Sequence, residues 1–270
     1  MQDIIIVSHN DVEMVARSIR AIKFFTGIPH CLTIMDDSTD DMVEVYTKYQ
    51  SEHYATVVGD SKLNYYRHDK PFIEFNEVVN KAFELTSSET LVVLTSTTEV
   101  EPEWIESPLQ VMANVKDCAI VGIKNLFPRS GIIENAGMHF EEPLLHHMNY
   151  GSGDAATMWT HVREVQAIGF CCAFLRRKYC YPLPTGEFVG FSGFDDVDTC
   201  FQMRERGFKV IYCGYSSSYH HTHGARAGMG FVSGDHQEAI DKYQENRFRF
   251  LTKWCTWGEF VKETDDFPTE

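Results

Sequence analysis

The chain is 270 residues long, 43% hydrophobic and 13% aromatic, with a formal net charge of −15. That length admits one large domain or two small ones with a substantial core, and the acidity argues against a large nucleic-acid footprint while leaving room for a phosphate-bearing small ligand. The eight cysteines are scattered without a CxxC pair, which excludes a zinc ribbon or disulfide framework and suits reduced thiols in a cytoplasmic protein. No basic leader precedes an apolar run, and no stretch approaches about 18 uninterrupted apolar residues, so neither a signal peptide nor a membrane span is expected.

Ile4, Ile5, Ile6 and Val7 form a β-branched run of the kind buried on both faces of a sheet. A polar turn, Ser8-His9-Asn10-Asp11, leads into a helical stripe of Val12, Val15, Ala16, Ile19 and Ile22. Residues 32–35 read as a second strand, followed by the acidic turn 36–41 and a helix carrying Met42, Val45, Tyr46 and Tyr49, with Asp41 and Glu44 spaced for a capping box. Strand, polar turn and helix, repeated, predict a parallel sheet with ligands beyond the carboxyl ends of its strands. Residues 56–58 are a third candidate strand, Phe75, Val78, Val79, Ala82 and Phe83 mark a third helix, and 91–94 are a buried strand ending in Thr95-Ser96-Thr97-Thr98-Glu99. Pro102 suits a first helical turn, and Pro108 is expected to end or kink that helix.

The second half is less periodic. Residues 119–123 read as a strand, and 132–140 alternate poorly around Asn135-Ala136-Gly137. Residues 141–161, rich in His, Gly, Met and Trp, read as a long loop or small irregular layer. Strands are expected around Gly169 and over 208–213, a Gly-rich stretch reaches Gly234, and residues 243–257 should form a closing helix. Between them lies GFSGFDDVDTCFQMR, residues 190–204. Val197, Cys200 and Phe201 share one helical face, so a helix starts at or just after Asp196, with Asp195, Asp196 and Asp198 at its N-terminus. Two readings stand here: an acidic first turn that merely suits the helix dipole, or a general base on a pocket rim with Phe191 and Phe194 excluding water.

The motifs, in order, resemble those of the GT-A glycosyltransferases of family 2, especially the rhamnosyltransferase-like branch. IIIVSHND resembles the first-strand motif, IMDDSTDD the nucleoside-holding Asp turn, and VVLTSTTEVEPEW the strand that normally carries an Asp-x-Asp-type element. NAGMHF is similar to an Ala-Gly turn of the acceptor half, GFDDVDTCFQMRERGFKVIY to the Glu-Asp-Val-Asp segment, and SSSYHHTHG to the late His-His end. The resemblance implies an α/β GT-A (nucleotide-diphospho-sugar transferase) fold, a mainly parallel central sheet flanked by helices. It implies one domain, with a nucleotide-binding half over 1–123, an acceptor-side half with the base and a lid over 124–234, and a C-terminal helical extension over 235–270.

The implied chemistry is inverting transfer of a sugar from a nucleotide-diphosphate donor to a hydroxyl of a glycan, glycolipid or similar acceptor. Asp196 matches the general base and Asp195 the preceding acceptor-orienting carboxylate. Val7, Ser8, His9, Asp36, Thr95 and Thr97 fall where the nucleotide is held, Asp36 accepting hydrogen bonds from base or ribose. Family members normally hold a divalent cation, Mn or Mg, at the Asp-x-Asp-type position, but Thr95-Ser96-Thr97 stands there and hydroxyls are poor ligands for a hard cation. His220 matches the late metal-binding histidine, with Glu99 as a further ligand. His223 and Arg226 would face the diphosphate, Arg226 from a lid over residues 225–234. Trp159, with His146 and His147, falls where an acceptor sugar would stack, a place a core tryptophan fills equally well. The missing carboxylates keep open a non-catalytic nucleotide-sugar-binding module, and a transferase acting on protein or modified nucleic acid is a further alternative, the nucleic-acid form opposed by the charge. A dinucleotide-binding dehydrogenase is a poor fourth reading, because no G-x-G-x-x-G follows the first strand.

Overall fold

The computed structural model describes residues 1–54, 59–69, 74–128, 130–141, 144–147, 150–151, 153, 159–188, 193–221 and 236–255, with the backbone alone at 141, 144–147 and 236–240. In chain order the first half runs β1 (Gln2–Ser8), α1 (Val12–Phe25), β2 (His30–Asp36), α2 (Met42–Ser51), β3 (Lys62–Arg67), α3 (Phe75–Leu85), β4 (Thr90–Thr95), β5 (Thr98–Val100) and α4 (Glu106–Asn114). The second half runs β6 (Cys118–Leu126), β7 (Ile133–Asn135), β8 (Met138–Glu141), β9 (Leu144–His147), β10 (Val162–Glu164), β11 (Cys172–Arg176), α5 (Arg177–Cys180), α6 (Asp195–Glu205), β12 (Lys209–His220) and α7 (His236–Trp254).

One sheet has the order β10-β12-β6-β11-β4-β1-β2-β3, with β5 attached to β12 and β7 to β6, while β8 and β9 pair apart from it. Strands β3, β2, β1 and β4 are parallel, β11 enters antiparallel between β4 and β6, and β6 and β12 are parallel to each other. The period-two alternation of β1 feeds two layers. Ile4 and Ile6 join Val15, Ile19 and Ile22 of α1 and Met112 of α4, whereas Ile5 and Val7 join Val78, Val79 and Phe83 of α3, Phe201 of α6 and Phe250 of α7. Each such side chain withdrawn from water contributes about 1.5–3 kcal/mol, which fixes the register of β1 and so the direction of the turn after it.

Several local expectations change. The candidate strand over 56–58 lies outside the described residues, and the strand beside β2 is β3, whose polar KLNYYR sequence suits an edge. Asp41 makes no side-chain cap on α2; Asp40 Oδ1 takes the Met42 N–H at 3.0 Å instead, so no capping box forms. Pro102 lies in a turn, and Pro108 sits inside the first turn of α4, where its missing N–H costs no helical hydrogen bond, so it begins that helix instead of ending it. The β8–β9 hairpin occupies part of the stretch read as irregular. Strand β12 runs on to His220, beyond the expected 208–213.

Helix α6 opens one residue earlier than expected, at Asp195, after Phe194 in the left-handed region at φ 79°. Helix α7 begins before residue 243, and Asn246, Phe250 and Trp254 form its buried stripe. Phe250 and Trp254 stand 5.5 and 5.2 Å from the Phe201 ring, so the C-terminal segment packs onto α6. At the Asn135-Ala136-Gly137 turn, Gly137 has φ 97° and a Cβ there would stand 2.8 Å from Val165, which explains the glycine on both counts.

Candidate active site

The carboxyl ends of β1, β2 and β4 lie side by side, with Ser8 paired to Asp36 and Val7 to Thr95. Asp37 N–H donates to Ser8 O at 3.1 Å and Ser96 N–H to Val7 O at 2.9 Å, so the carbonyls of both residues already accept a bond. The two polar turns are laced together. Asn10, at φ 49°, takes the Thr39 N–H on Oδ1 at 2.8 Å and donates its own N–H to Ser38 Oγ at 2.7 Å. His9 Nδ1 lies 2.8 Å from Asp37 Oδ1, and Asn10 Nδ2 lies 3.1 Å from His9 Nε2, so the ring is held between the two turns.

Asp36 stands at the end of β2 as expected, but its side chain is wholly buried. Ser38 Oγ donates to Oδ1 at 2.5 Å and Tyr65 OH to Oδ2 at 2.7 Å. Burial raises the Asp36 pKa against those hydrogen bonds, and burial together with the adjoining carboxylate pushes the Tyr65 hydroxyl upward. Direct acceptance of a nucleotide hydrogen bond by Asp36 therefore does not fit this geometry; the carboxylate fixes the turn and the Tyr65 ring. Tyr65→Phe removes one of two strong donors to a buried carboxylate, and a loss of about 1–2 kcal/mol is expected in a denaturant titration.

Thr95, Thr97 and Thr98 form a hydroxyl cluster, with Thr95 Oγ1 2.9 Å from Thr97 Oγ1 and 3.1 Å from Thr98 Oγ1. His221 N–H donates to Thr97 O at 2.9 Å, which ties the end of β12 to this turn. His220 Nδ1 lies 2.7 Å from Glu134 Oε2, while Glu99 lies 3.1 Å from His221 Nε2 and 3.7 Å from Arg17 Nη1.

Thr97, Glu99 and His220 thus come to one corner, but not to one face. In the β5–β12 register Thr98 opposes His220 and Glu99 opposes Tyr219. Opposed residues share a face and successive residues alternate, so Glu99 and His220 project to opposite sides of the ribbon and cannot chelate one ion together. Among the described residues no group of three or more His, Cys, Asp or Glu is placed to hold a metal. Hydroxyls plus one imidazole do not fit a side-chain site for Mn or Mg, and the paired His220 and Glu99 ligand reading is corrected accordingly.

The three carboxylates opening α6 part company. Asp196 is half-buried, its Oδ2 accepting the Phe170 N–H at 3.2 Å and its Oδ1 the Val197 N–H at 2.8 Å. The next residue along from Phe170 reaches β4: Cys171 O accepts Thr95 N–H at 3.1 Å and Thr98 Oγ1–H at 2.8 Å. Asp196 and the hydroxyl cluster therefore rest on the two ends of one short Phe170-Cys171 bridge. The Cys171 thiol takes a bond from Asn125 Nδ2 at 3.0 Å, and Asn125 Oδ1 accepts from Ser218 Oγ at 2.9 Å, carrying the same network to β12.

Asp195 does not open onto this cleft. It is 4% exposed and lies within hydrogen-bonding reach of the Glu74 carboxyl, and burial holds it well above the ordinary carboxylate range. That enclosure does not fit the expected contact with an acceptor. Asp198 is also enclosed and does more than cap the helix: Trp254 Nε1–H donates to Oδ1 at 2.7 Å and Lys253 Nζ stands 2.9 Å from it.

Trp159 packs at the β10–β12 edge. Its carbonyl accepts Tyr212 OH at 3.0 Å, and the Arg163 guanidinium covers its ring at 5.3 Å. A Cβ on Gly214 would stand 1.8 Å from Trp159 O, so β12 needs glycine there. These contacts fit the packing reading of Trp159. His223, Arg226 and the lid over 225–234 lie outside the described residues, as do the side chains of His146 and His147. Glu74, Glu134, Asn125 and Phe170 were not singled out by sequence reasoning; each acts through a partner distant in the chain. A separate cavity of about 480 Å³, lined by Gln2, Pro29, Thr90, Met112 and Arg176, opens at the opposite end of β1 and β4 and takes no part in this cleft.

The sequence pattern of glycosyl transferase family 2 matches residues 3–180, about two thirds of the chain. No curated protein sequence matches it. Among similar solved structures is GalNAc-T7 with UDP, GalNAc and Mn2+, at 13% identity and a TM-score of 0.62 over 82% of this chain and 43% of that one. The present chain thus spans less than half the length of that neighbour, and the likeness is one of fold: mixed α/β, with a large central sheet flanked by helices in the GT-A arrangement.

Proposed function

The chain belongs to glycosyl transferase family 2, and from that premise we propose that it is an inverting glycosyltransferase using a nucleotide-diphosphate sugar, with Asp196 as general base. The observation carrying the reading is the Phe170-Cys171 bridge, which joins the half-buried Asp196 carboxylate to the hydroxyl cluster at the end of β4. In such parallel sheets a ligand sits beyond the carboxyl ends of the strands. Asp196 would take the proton of an acceptor hydroxyl as that oxygen bonds to the anomeric carbon, and the bond from that carbon to the diphosphate oxygen breaks with its electron pair leaving on the phosphate. Two backbone N–H bonds hold the carboxylate for that step.

The departing diphosphate needs donors near it as charge develops. Thr95 is the partly exposed hydroxyl of the cluster, and His220, its Nδ1 at Glu134, carries a second ring nitrogen at the same corner. The solved neighbour contains UDP, which makes uridine donors the first to test, with glycan or glycolipid hydroxyls as acceptors. Among the described residues no cysteine is in a disulfide and no helix is long and apolar enough to cross a membrane, which is compatible with the cytoplasmic setting we propose.

A second reading, a binding module without turnover, is favoured by one observation: the Asp-x-Asp-type position carries hydroxyls already bonded to one another. A thermal-shift screen of UDP, GDP and dTDP sugars, with and without manganese, followed by product detection, separates the two. Stabilisation with sugar transfer is expected; a donor at 100 times its Kd stabilises by about 2.7 kcal/mol. Stabilisation without transfer to any hydroxyl acceptor supports the module, and no response to any nucleotide sugar removes both readings.

A further inference from the structure

Glu74 precedes the first residue of α3 and Asp195 is the first residue of α6, so each carboxyl stands at a helix N-terminus. Both are enclosed, at 8% and 4% exposure. Glu74 Oε2 accepts the Gly186 N–H at 2.6 Å, but among the described residues Glu74 Oε1 and Asp195 Oδ1 are buried with no donor. The two side chains lie within hydrogen-bonding reach of each other. Two carboxylates so placed would repel in a medium that screens poorly, and only a proton between them turns the contact into a bond.

The charged groups acting most strongly on the pair are acids as well: Glu77 on α3, Glu187 in the segment before α6, and Asp196 beside Asp195. Lys253, on α7, is bonded to Glu187 and Asp198. The same two helices are tied a second time by Asn76, whose Nδ2 donates to Thr199 Oγ1 at 3.1 Å and Pro184 O at 2.8 Å. One turn of α6 is thus held against α3, and Phe194, at φ 79°, must be kept in a conformation that costs a non-glycine residue energy.

We propose that Glu74 and Asp195 share one proton and that this bonded pair is a positioning device, holding the first turn of α6 so that Asp196 stays at the Phe170 N–H. Its role in transfer rests on the reading of Asp196 as base; the sharing of the proton does not. Loss of the proton would place two charges, with a third on Asp196, at one helix start, and would loosen the turn that aims the base.

The test is Glu74→Gln, whose amide N–H can donate to an ionised Asp195 without a shared proton, compared with Glu74→Ala, which offers Asp195 nothing. The folded wild-type protein keeps a proton that the unfolded chain releases near pH 4, so its stability falls as pH climbs from there through the pair's own ionisation. The wild-type melting temperature is therefore expected to decline over that range more steeply than that of Glu74→Gln. In transfer assays wild-type kcat should fall on the alkaline side with donor KM unchanged, Glu74→Gln should lack that fall while staying within about threefold of wild type at neutral pH, and Glu74→Ala should lose at least about tenfold in kcat. Infrared spectra at neutral pH add a check on native protein: a protonated-carboxyl band is expected in the wild type and should be missing from Glu74→Gln and from Asp195→Asn.

Identical pH profiles of melting for wild type and Glu74→Gln, or an infrared band unchanged by both substitutions, would overturn the shared proton. Profiles that differ in melting while the alkaline fall in kcat persists in Glu74→Gln would overturn the positioning role. Melting and infrared need no donor, so they judge the pair even where no sugar transfer is found, and a failure of the transferase reading stays distinct from a failure of this one.

Discussion

Asp196→Asn is expected to lower the rate of sugar transfer by about 10²–10⁴-fold while leaving nucleotide affinity within about twofold. The amide keeps the volume and one oxygen of the carboxylate, so the Phe170 N–H at 3.2 Å retains an acceptor and the first turn of α6 keeps its place. What the amide lacks is basicity: it cannot take the acceptor proton as the new bond forms. Since the nucleotide would sit at the ends of β1, β2 and β4, its affinity does not depend on that proton. Single-turnover rates with the donor found by thermal shift, alongside calorimetric Kd values, make the comparison. Transfer at the wild-type rate in this variant would remove Asp196 as base.

The largest stability effect is expected at Asp198. Its buried carboxylate receives Trp254 Nε1–H at 2.7 Å, Gln202 Nε2–H at 2.6 Å and the Lys253 ammonium at 2.9 Å, and it is the polar centre of an otherwise aromatic contact between α6 and α7. Burial raises its pKa and the two α7 donors oppose that shift. Asp198→Ala leaves the indole N–H without its partner and Lys253 with Glu187 alone. A loss of about 3 kcal/mol is expected, more than a hundredfold in the folding constant, because removing the buried carboxylate strands the enclosed indole N–H and takes one partner from the partly exposed Lys253. Asp198→Asn, which still accepts from the indole, should lose less. Urea denaturation of both variants measures this, and a loss under about 0.5 kcal/mol for Asp198→Ala would show that α7 is held by its aromatic stripe alone.

Much of the framework could be read from the chain because burial on both faces leaves a strong mark. Ile4–Val7 and Leu91–Leu94 are continuous apolar runs, and they are the adjacent parallel strands β1 and β4. Strand β3 escaped notice because an edge strand needs only one apolar face, and in Lys62–Arg67 only Leu63 is fully buried. Pro108 misled because proline both ends and begins helices, and which it does depends on where the preceding turn runs.

The same division holds in the cleft. Three aspartates at the start of a helix are visible in sequence, yet their separate fates are not: Asp196 meets Phe170, Asp195 meets Glu74 and Asp198 meets α7 only after the chain has closed. The resemblance likewise brought Glu99 and His220 to one corner, but only the β5–β12 register reveals that they face opposite sides.

The configuration at the anomeric carbon of the product, read by proton NMR from the coupling of its anomeric hydrogen, tests the proposed chemistry most directly. One displacement with a single base, Asp196, requires a configuration opposite to that of the donor sugar. A product that retains the donor configuration would contradict it, because the acceptor oxygen would then have arrived on the face the diphosphate had left.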